Sequence, residues 1–130
     1  MVKKSVNTKY IYSELSHEII GAAFEVQNYI GPGKPEKTYQ RVLAKELFLR
    51  GIKYSEQVQI DLIYKGEVVG KRRVDFLVED KLILELKVAS HIGNGEIAQL
   101  YEYLRLKKMK LGLIILFSQE VKIRRIVNLT

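Results

Sequence analysis

Three charged residues, Asp75, Glu85 and Lys87, lie inside apolar segments of the sequence that predict buried β-strands. A charge in a buried strand costs several kcal/mol unless it is paired or binds an ion, so each of the three needs a physical reason to be there. The simplest explanation is that the two carboxylates bind a divalent metal ion and that the lysine beside them orients or deprotonates a water molecule. This is the chemistry of a site that cleaves phosphodiester bonds.

Strand periodicity predicts that these residues come together. Glu85 and Lys87 are two positions apart and therefore share one face of their strand. Asp75 precedes Glu85 by ten residues across a predicted turn at Glu79-Asp80, so pairing of the two strands would make the carboxylates neighbours. We expect Asp75 and Glu85 to bind Mg²⁺, with Mn²⁺ able to substitute, because Mg²⁺ keeps several waters and uses few protein ligands. Lys87 would orient or deprotonate the water, or offset developing negative charge.

The acid-x-Lys pattern by itself is weak evidence. It occurs three times, at Glu79-Asp80-Lys81, Glu85-Leu86-Lys87 and Glu120-Val121-Lys122. The first falls in a turn and the third just past a strand end, so only the second lies inside an apolar strand. The alternative interpretation of that second triplet is a solvated edge strand with a Glu–Lys ion pair on its outer face.

Three further residues are candidates for the same site. Glu36 begins a helical stripe that otherwise faces the core, and from there it would reach the metal or its waters. The helix macrodipole explains an acid in a first turn equally well. Gln99 and Tyr103, four apart, share one flank of a predicted helix, where an amide and a phenol would contact phosphate. Tyr101 is expected to point more squarely into the core.

The balance of charge points to a polyanionic partner. The 130 residues include 22 basic and 15 acidic side chains, a formal net charge of +7, which in a small domain suggests nucleic acid as the partner, although many basic proteins bind none. For each single basic cluster, a solvated face is the competing interpretation. The basic residues expected to contact nucleic acid are Lys71, Arg72, Arg73, Lys107, Lys108, Arg124 and Arg125.

The composition also excludes several kinds of site. The absence of cysteine excludes disulfides, thiolate nucleophiles and zinc ribbons, and two histidines, His17 and His91, do not support a histidine-rich metal site. The N-terminus lacks the apolar stretch of a signal peptide, and the longest apolar run, residues 111–117, is too short to span a bilayer. We expect a cytoplasmic protein that does not contact membranes.

The helices that must position these residues carry recognisable start and stop signals. Ser13 is the predicted N-cap of the first helix, which Gly31-Pro32-Gly33 ends. Pro35 suits the first turn of a second helix, which runs to Gly51. Asn94 is the predicted cap of a third helix, over residues 95–108.

The strands complete an α/β fold in the order ααβββαββ. Alternating residues predict a strand over 58–64, and two more over 68–78 and 82–88 would form an antiparallel meander with it. Segments 111–117 and 121–127 supply the last two strands, the first of them apolar enough for the centre of a covered sheet. We expect a mixed β-sheet flanked by helices, in a single domain over residues 1–130 with 1–12 as an N-terminal extension.

At this point the residues resemble a known pattern. The segment Gly33-Lys34-Pro35-Glu36-Lys37-Thr38-Tyr39 is similar to the Gly-x-x-Glu-x-x-Tyr signature of the small GxxExxY proteins, which belong to the PD-(D/E)xK nuclease superfamily. The resemblance continues in order through Tyr64-Lys65-Gly66, Arg73-Val74-Asp75-Phe76-Leu77-Val78, Leu84-Glu85-Leu86-Lys87, Ala98-Gln99-Leu100, Leu111-Gly112-Leu113-Ile114-Ile115 and Arg124-Arg125-Ile126-Val127-Asn128.

The resemblance implies a restriction-endonuclease-like core and a Mg²⁺-dependent nuclease acting on DNA. It implies that Glu36 is the helical acid, Asp75 the first strand acid, and Glu85 with Lys87 the strand pair. The Gln99 and Tyr103 spacing resembles the Gln-x-x-x-Tyr element of RecB-type nucleases and phage-type exonucleases.

The sequence differs from the family pattern at two places, and two other functions are compatible with the same fold. Lys34-Pro35 stands where relatives commonly have apolar residues, and no proline precedes Asp75, but neither change removes a proposed ligand. One alternative is a catalytically inactive module of the same fold that binds nucleic acid or a protein partner. The other is a subunit of a larger enzyme, such as a homodimer, because a compact nuclease of this size offers little surface for gripping a duplex.

Overall fold

The computed structural model describes residues 11–130, so residues 1–10 of the predicted N-terminal extension lie outside the described part of the chain. The elements follow the predicted order ααβββαββ. They are α1 (Ser13–Ile30), α2 (Glu36–Leu49), β1 (Tyr54–Tyr64), β2 (Glu67–Val78), β3 (Leu82–Lys87), α3 (Asn94–Leu106), β4 (Leu111–Phe117) and β5 (Val121–Val127). Within residues 11–130, no helix has the length and apolar character needed to cross a membrane.

One mixed sheet organises the molecule, with the strands in the spatial order β1-β2-β3-β4-β5. The first three strands form the predicted antiparallel meander, β4 lies parallel to β3, and β5 returns antiparallel to β4. The parallel step requires a crossover, which α3 provides. Every residue of β4 is buried, which explains its continuous apolar sequence. The expected α/β fold with a mixed sheet and flanking helices is confirmed.

Helices cover both faces of the sheet and divide the apolar core in two. The larger cluster lies between α1, α2 and one face of the sheet, and it includes the stacked rings of Tyr39 and Phe117, whose centroids are 4.3 Å apart. The smaller cluster lies beneath α3 and includes Ile83, Leu100 and Leu104. β3 contributes Leu82, Leu84 and Leu86 to the larger cluster and Ile83 to the smaller one. Glu85 of this strand is therefore buried between the helical layers, and Lys87 at its end is half-buried.

Two predicted helix caps are wrong. Ser13 is the first helical residue of α1, and the cap position is taken by Tyr12, whose φ of 49° is left-handed. Asn94 is likewise the first residue of α3, after Gly93. Neither helix has a side-chain hydrogen bond at its cap. Each polar residue marked the correct helix start, but the backbone enters the helix one residue earlier than the sequence signal indicated.

β2 changes face at Asp75. Val74 packs into the cluster beneath α3, whereas Phe76 packs beneath α1 and α2, although residues two apart on a regular strand share a face. Gln57 of β1, at the same level of the hairpin, has a φ of 50°. Among the described residues, Asp75 has no register partner on β1 or β3. The irregularity opens the sheet between β2 and β3 and leaves backbone N–H groups there for side-chain acceptors.

Candidate active site

Asp75 and Glu85 face each other where β2 and β3 separate. The backbone N–H of Asp75 donates to Oε2 of Glu85 at 3.4 Å, and the backbone N–H of Leu86 donates to Oδ2 of Asp75 at 2.7 Å. Glu85 is buried, with 5% of its surface exposed, and Asp75 is half-buried. The predicted proximity of the two strand carboxylates is confirmed, and reciprocal hydrogen bonds to the opposing backbone hold them there.

The environment of Glu85 disfavours its negative charge. Burial, reinforced by the nearby charge of Asp75, raises the pKa of Glu85 to about 7. Arg72, whose Nη2 lies 2.9 Å from Oε1 of Glu85, acts in the opposite direction. An ion pair this short would ordinarily keep a carboxylate ionised, but burial and the second carboxylate together outweigh it. Two acids held this close are suited to a shared cation.

Lys87 and Glu36 complete the charged cluster. Lys87 follows Glu85 by two positions, and its Nζ lies 4.0 Å from Oε2 of Glu96 in α3. A pair this long between partly exposed side chains is weak, so the amine remains available to other groups. Glu36 begins α2, and desolvation, with the charge of Asp75 second, raises its pKa while Lys87 lowers it. Electrostatic coupling of this kind means that the carboxylates and the amine lie close to one another.

Arg72 joins three of the predicted site residues. Its guanidinium donates to Oε1 of Glu85 at 2.9 Å and to Oε1 of Gln99, and it lies over the ring of Tyr103, 5.3 Å from the centroid. Gln99 is exposed, whereas Tyr103 is buried with 4% exposure. The sequence predicted Arg72 only as a nucleic-acid contact, because a β-strand pattern does not show that a side chain on β2 reaches α3.

The expectation that Tyr101 points into the core is wrong. Tyr101 is 36% exposed, and the residues of α3 that pack on the sheet are Leu100, Tyr103 and Leu104. These three follow the i, i+3, i+4 spacing of one helical face, which Tyr101 does not share. Glu96, near Lys87, was not predicted, although its position one turn before Gln99 could have indicated it.

The donor set suits a hard divalent ion with few protein ligands. Within residues 11–130, no group of three or more His, Cys, Asp or Glu side chains is arranged to enclose a metal ion. Mg²⁺ is typically held by one or two carboxylates and completes its octahedral shell with waters. Asp75 and Glu85 supply such a pair, so the residues present fit Mg²⁺ or Mn²⁺.

Most of the basic residues predicted to contact nucleic acid are solvent-exposed. Lys71 and Arg73 flank Arg72 on β2, Lys107 and Lys108 follow the end of α3, and Arg124 lies on β5. Exposure leaves them available to phosphate groups, and their contribution to binding stays a prediction.

Arg125, like Arg72, is less exposed than these five residues. Its guanidinium donates to Oγ of Ser16 at 3.0 Å and to the carbonyl of Ile11 at 2.8 Å, and burial lowers its pKa. These contacts tie β5 to the start of α1. A nucleic-acid contact by Arg125 stays a prediction, and the hydrogen bonds give it a structural role as well.

A groove between α2 and the β1–β2 hairpin brings further cations towards the site. Its volume is about 500 Å³, and it is lined by Lys37, Gln40, Arg41, Glu56, Gln57 and Arg73. Lys37 directly follows Glu36 in α2, and Gln57 lies at the level of Asp75 in the hairpin, so two of the lining residues are neighbours of site residues in the chain or in the sheet. Sequence reasoning missed Lys37 and Arg41, although their four-residue spacing on an exposed helical face could have indicated them.

The family follows from comparison with known proteins. The model of the PD-(D/E)XK nuclease superfamily matches residues 13–126, and the chain belongs to this superfamily. Members of the superfamily generally use divalent metals. The crystal structure of SSO0001 has a similar fold, with a TM-score of 0.56. The aligned region covers 98% of this chain and 70% of that one, at 15% sequence identity. No curated protein matches the sequence.

Metal binding by this site should weaken as the pH falls below about 7. Glu85 must be ionised to bind a cation, and its pKa of about 7 means that a proton competes at lower pH. We expect the Mn²⁺ affinity to fall by about tenfold per pH unit between roughly pH 6.5 and pH 5.5, with release of up to about one proton on binding. Isothermal titration calorimetry in buffers of different ionisation enthalpy measures both quantities. An affinity that stays constant from pH 8 to pH 5.5 would contradict this assignment.

Proposed function

We propose that this protein is a Mg²⁺-dependent nuclease that hydrolyses phosphodiester bonds of DNA. The observation that carries the proposal is the facing pair of Asp75 and Glu85, with Lys87 two positions along the same strand. Membership of a nuclease superfamily supports the same reaction class. The finer points, the ion and the DNA substrate, rest on the hard oxygen donors and on the net charge of +7.

In this proposal each residue has a defined role. Asp75 and Glu85 hold the ion, which when bound polarises the phosphate and acidifies a water molecule. Lys87 orients that water or accepts its proton, a role supported by its weak pairing with Glu96. Glu36 adds negative charge at the same point from the start of α2.

Residues of α3 support the substrate side of the site. Gln99 is exposed beside the carboxylates and can contact a phosphate oxygen directly. Tyr103 is buried, so we assign it a positioning role through the guanidinium above its ring. Lys37 and Arg41 of the groove, with the exposed cations of β2, would neutralise phosphates on the approach to the carboxylates.

A cleavage assay with a matched pair of lysine variants tests the proposal. Wild-type protein is incubated with linear double-stranded, single-stranded and branched DNA in Mg²⁺, Mn²⁺ or EDTA. We expect cleavage of at least one substrate with either metal and none in EDTA. Lys87→Ala should lower the cleavage rate by about 100-fold or more. Lys81→Ala, in the acid-x-Lys triplet of the β2–β3 turn, should keep wild-type activity.

The outcomes separate the alternatives. Equal cleavage by Lys87→Ala and Lys81→Ala would point to a contaminating nuclease and reject the assignment. DNA binding with a steep salt dependence, but without strand breakage in Mg²⁺ or Mn²⁺, would favour the catalytically inactive binding module instead.

A further inference from the structure

The guanidinium of Arg72 lies inside the site rather than on the surface. Its side chain is 19% exposed and the side chain of Glu85 is 7% exposed, so their 2.9 Å ion pair is largely shielded from water. Arg72 comes from the part of β2 that extends beyond the residues paired with β3. It therefore reaches across the opening between the strands to meet α3.

Two contacts from α3 hold the guanidinium in place. Nη1 donates to the amide oxygen of Gln99, Nη2 donates to Glu85, and the ring of Tyr103 lies beneath. The aromatic face attracts the cation without using any of its N–H donors. The guanidinium is thus kept near Glu85 by contacts that do not depend on Glu85 itself.

From these contacts we propose that Arg72 has two alternative partners, pairing with Glu85 in competition with the divalent ion and binding the scissile phosphate once the ion has displaced it. The inference rests on the proposed nuclease function. Oε1 of Glu85 is one of the oxygens expected to hold the ion, and a guanidinium and a divalent cation on one carboxylate repel each other. A phosphate that approached these carboxylates would meet the guanidinium that Gln99 and Tyr103 hold beside Glu85.

The chemistry of the guanidinium suits the second partner. Its planar fork matches two phosphate oxygens, and it stays protonated under all working conditions. As negative charge develops on the phosphoryl oxygens, a guanidinium already held in place stabilises it without further reorganisation. A lysine at this position would have the same positive charge but could not donate two parallel hydrogen bonds to a phosphate.

The proposal predicts changes of opposite sign when Arg72 is replaced. Loss of the competing cation should tighten metal binding, whereas loss of the phosphate contact should slow cleavage. A purely structural role, in which Arg72 only positions Glu85, predicts that metal binding and cleavage both weaken. The sign of the change in metal affinity therefore distinguishes the two.

The test measures Mn²⁺ binding by isothermal titration calorimetry without DNA, and cleavage at saturating DNA and Mn²⁺. Both are run at about pH 8.5, because Arg72 also lowers the pKa of Glu85 and its loss would otherwise let protons compete more strongly with the ion. Arg72→Gln should bind Mn²⁺ at least about fivefold more tightly than wild type and cleave about 100-fold more slowly. Arg72→Lys should keep a near wild-type Mn²⁺ affinity and cleave at least about tenfold more slowly. Lys81→Gln removes one positive charge from the turn before β3, four residues and about 13 Å from Glu85 along the chain, and should match wild type in both.

Each result decides a separate point. Unchanged or weaker Mn²⁺ binding by Arg72→Gln, with the wild type binding normally, overturns this inference alone. Wild-type cleavage by Arg72→Lys also overturns it, including in the case where Arg72→Gln fails to fold by circular dichroism. If the wild type binds Mn²⁺ but cuts no DNA, the proposed function and the phosphate contact are both overturned. The calorimetry of Arg72→Gln then still tests whether Arg72 competes with the ion for Glu85. A wild type that binds no Mn²⁺ overturns both.

Discussion

Asp75→Asn is expected to lower the rate of DNA cleavage by about 100- to 1,000-fold while leaving the fold intact. The substitution removes one of two charges that hold the ion, and an amide oxygen is a much weaker ligand than a carboxylate. The folded state should tolerate the change, because an asparagine oxygen can still accept from the N–H of Leu86. The NH₂ group of the asparagine can also donate to Glu85, which removes the repulsion between Asp75 and Glu85 that is present in the wild type.

Asp80→Asn provides the matched control for that experiment. Asp80 is exposed in the turn between β2 and β3, at a φ of 54° that asparagine adopts readily. Cleavage under single-turnover conditions and the melting temperature are measured for both variants. A melting temperature for Asp75→Asn that falls by more than about 5 °C would show that Asp75 contributes mainly to stability. Cleavage equal to that of Asp80→Asn would rule out Asp75 as a metal ligand.

Tyr39→Ala is expected to lower the free energy of unfolding by about 3–5 kcal/mol, a large part of the stability of a typical domain. Tyr39 is fully buried, and its ring stacks on Phe117 at an interplanar angle of 10°. Its hydroxyl donates to the carbonyl of Gly31 at 2.7 Å, which fastens the segment leading into α2. Tyr39→Phe keeps the stack and loses both hydrogen bonds of the hydroxyl, the one to Gly31 and the 3.4 Å one that it accepts from the backbone N–H of Lys34, so its cost should be about 1–2 kcal/mol.

Tyr29→Ala is the control, because Tyr29 of α1 is 86% exposed. Urea denaturation should show a midpoint for Tyr39→Ala that is roughly 2 M below wild type, with Tyr29→Ala close to wild type. Equal midpoints for the two alanine variants would contradict the assignment of Tyr39 to the core. Because the segment held by Tyr39 precedes Glu36, Tyr39→Phe also reports whether that segment positions the acid.

The order of elements and the proximity of the strand acids could be predicted because both follow from local rules. Period-two alternation and the turn at Glu79-Asp80 define a hairpin, and a hairpin places Asp75 beside Glu85 whatever the rest of the chain does. Glu36 was selected by its place on a helical stripe and by resemblance to a known signature. In the structure the charge of Asp75 contributes to the raised pKa of Glu36, and the role of Glu36 in the site stays a prediction.

The parts that could not be predicted depend on departures from regular geometry. A straight strand would put Val74 and Phe76 on one face, and nothing in the local sequence indicated the change of face between them. The choice between Tyr101 and Tyr103 depended on the rotation of α3, which is fixed by its packing on the sheet. The contact of Arg72 with Gln99 joins residues 27 positions apart and needs the tertiary structure.

The turn between β2 and β3 has a consequence for how the molecule assembles. Glu79 and Asp80 both have left-handed φ values, of 53° and 54°, as in the tight two-residue turns that match the twist of a hairpin. Hairpins of this kind form within microseconds, whereas the parallel pairing of β3 with β4 must wait for a helical crossover. We therefore expect Asp75 and Glu85 to meet early in folding, and α3 to add Gln99 and Tyr103 later. The electrostatic repulsion between the acids would then be present in the nascent hairpin, before Arg72 can contact Gln99 and Tyr103 of α3.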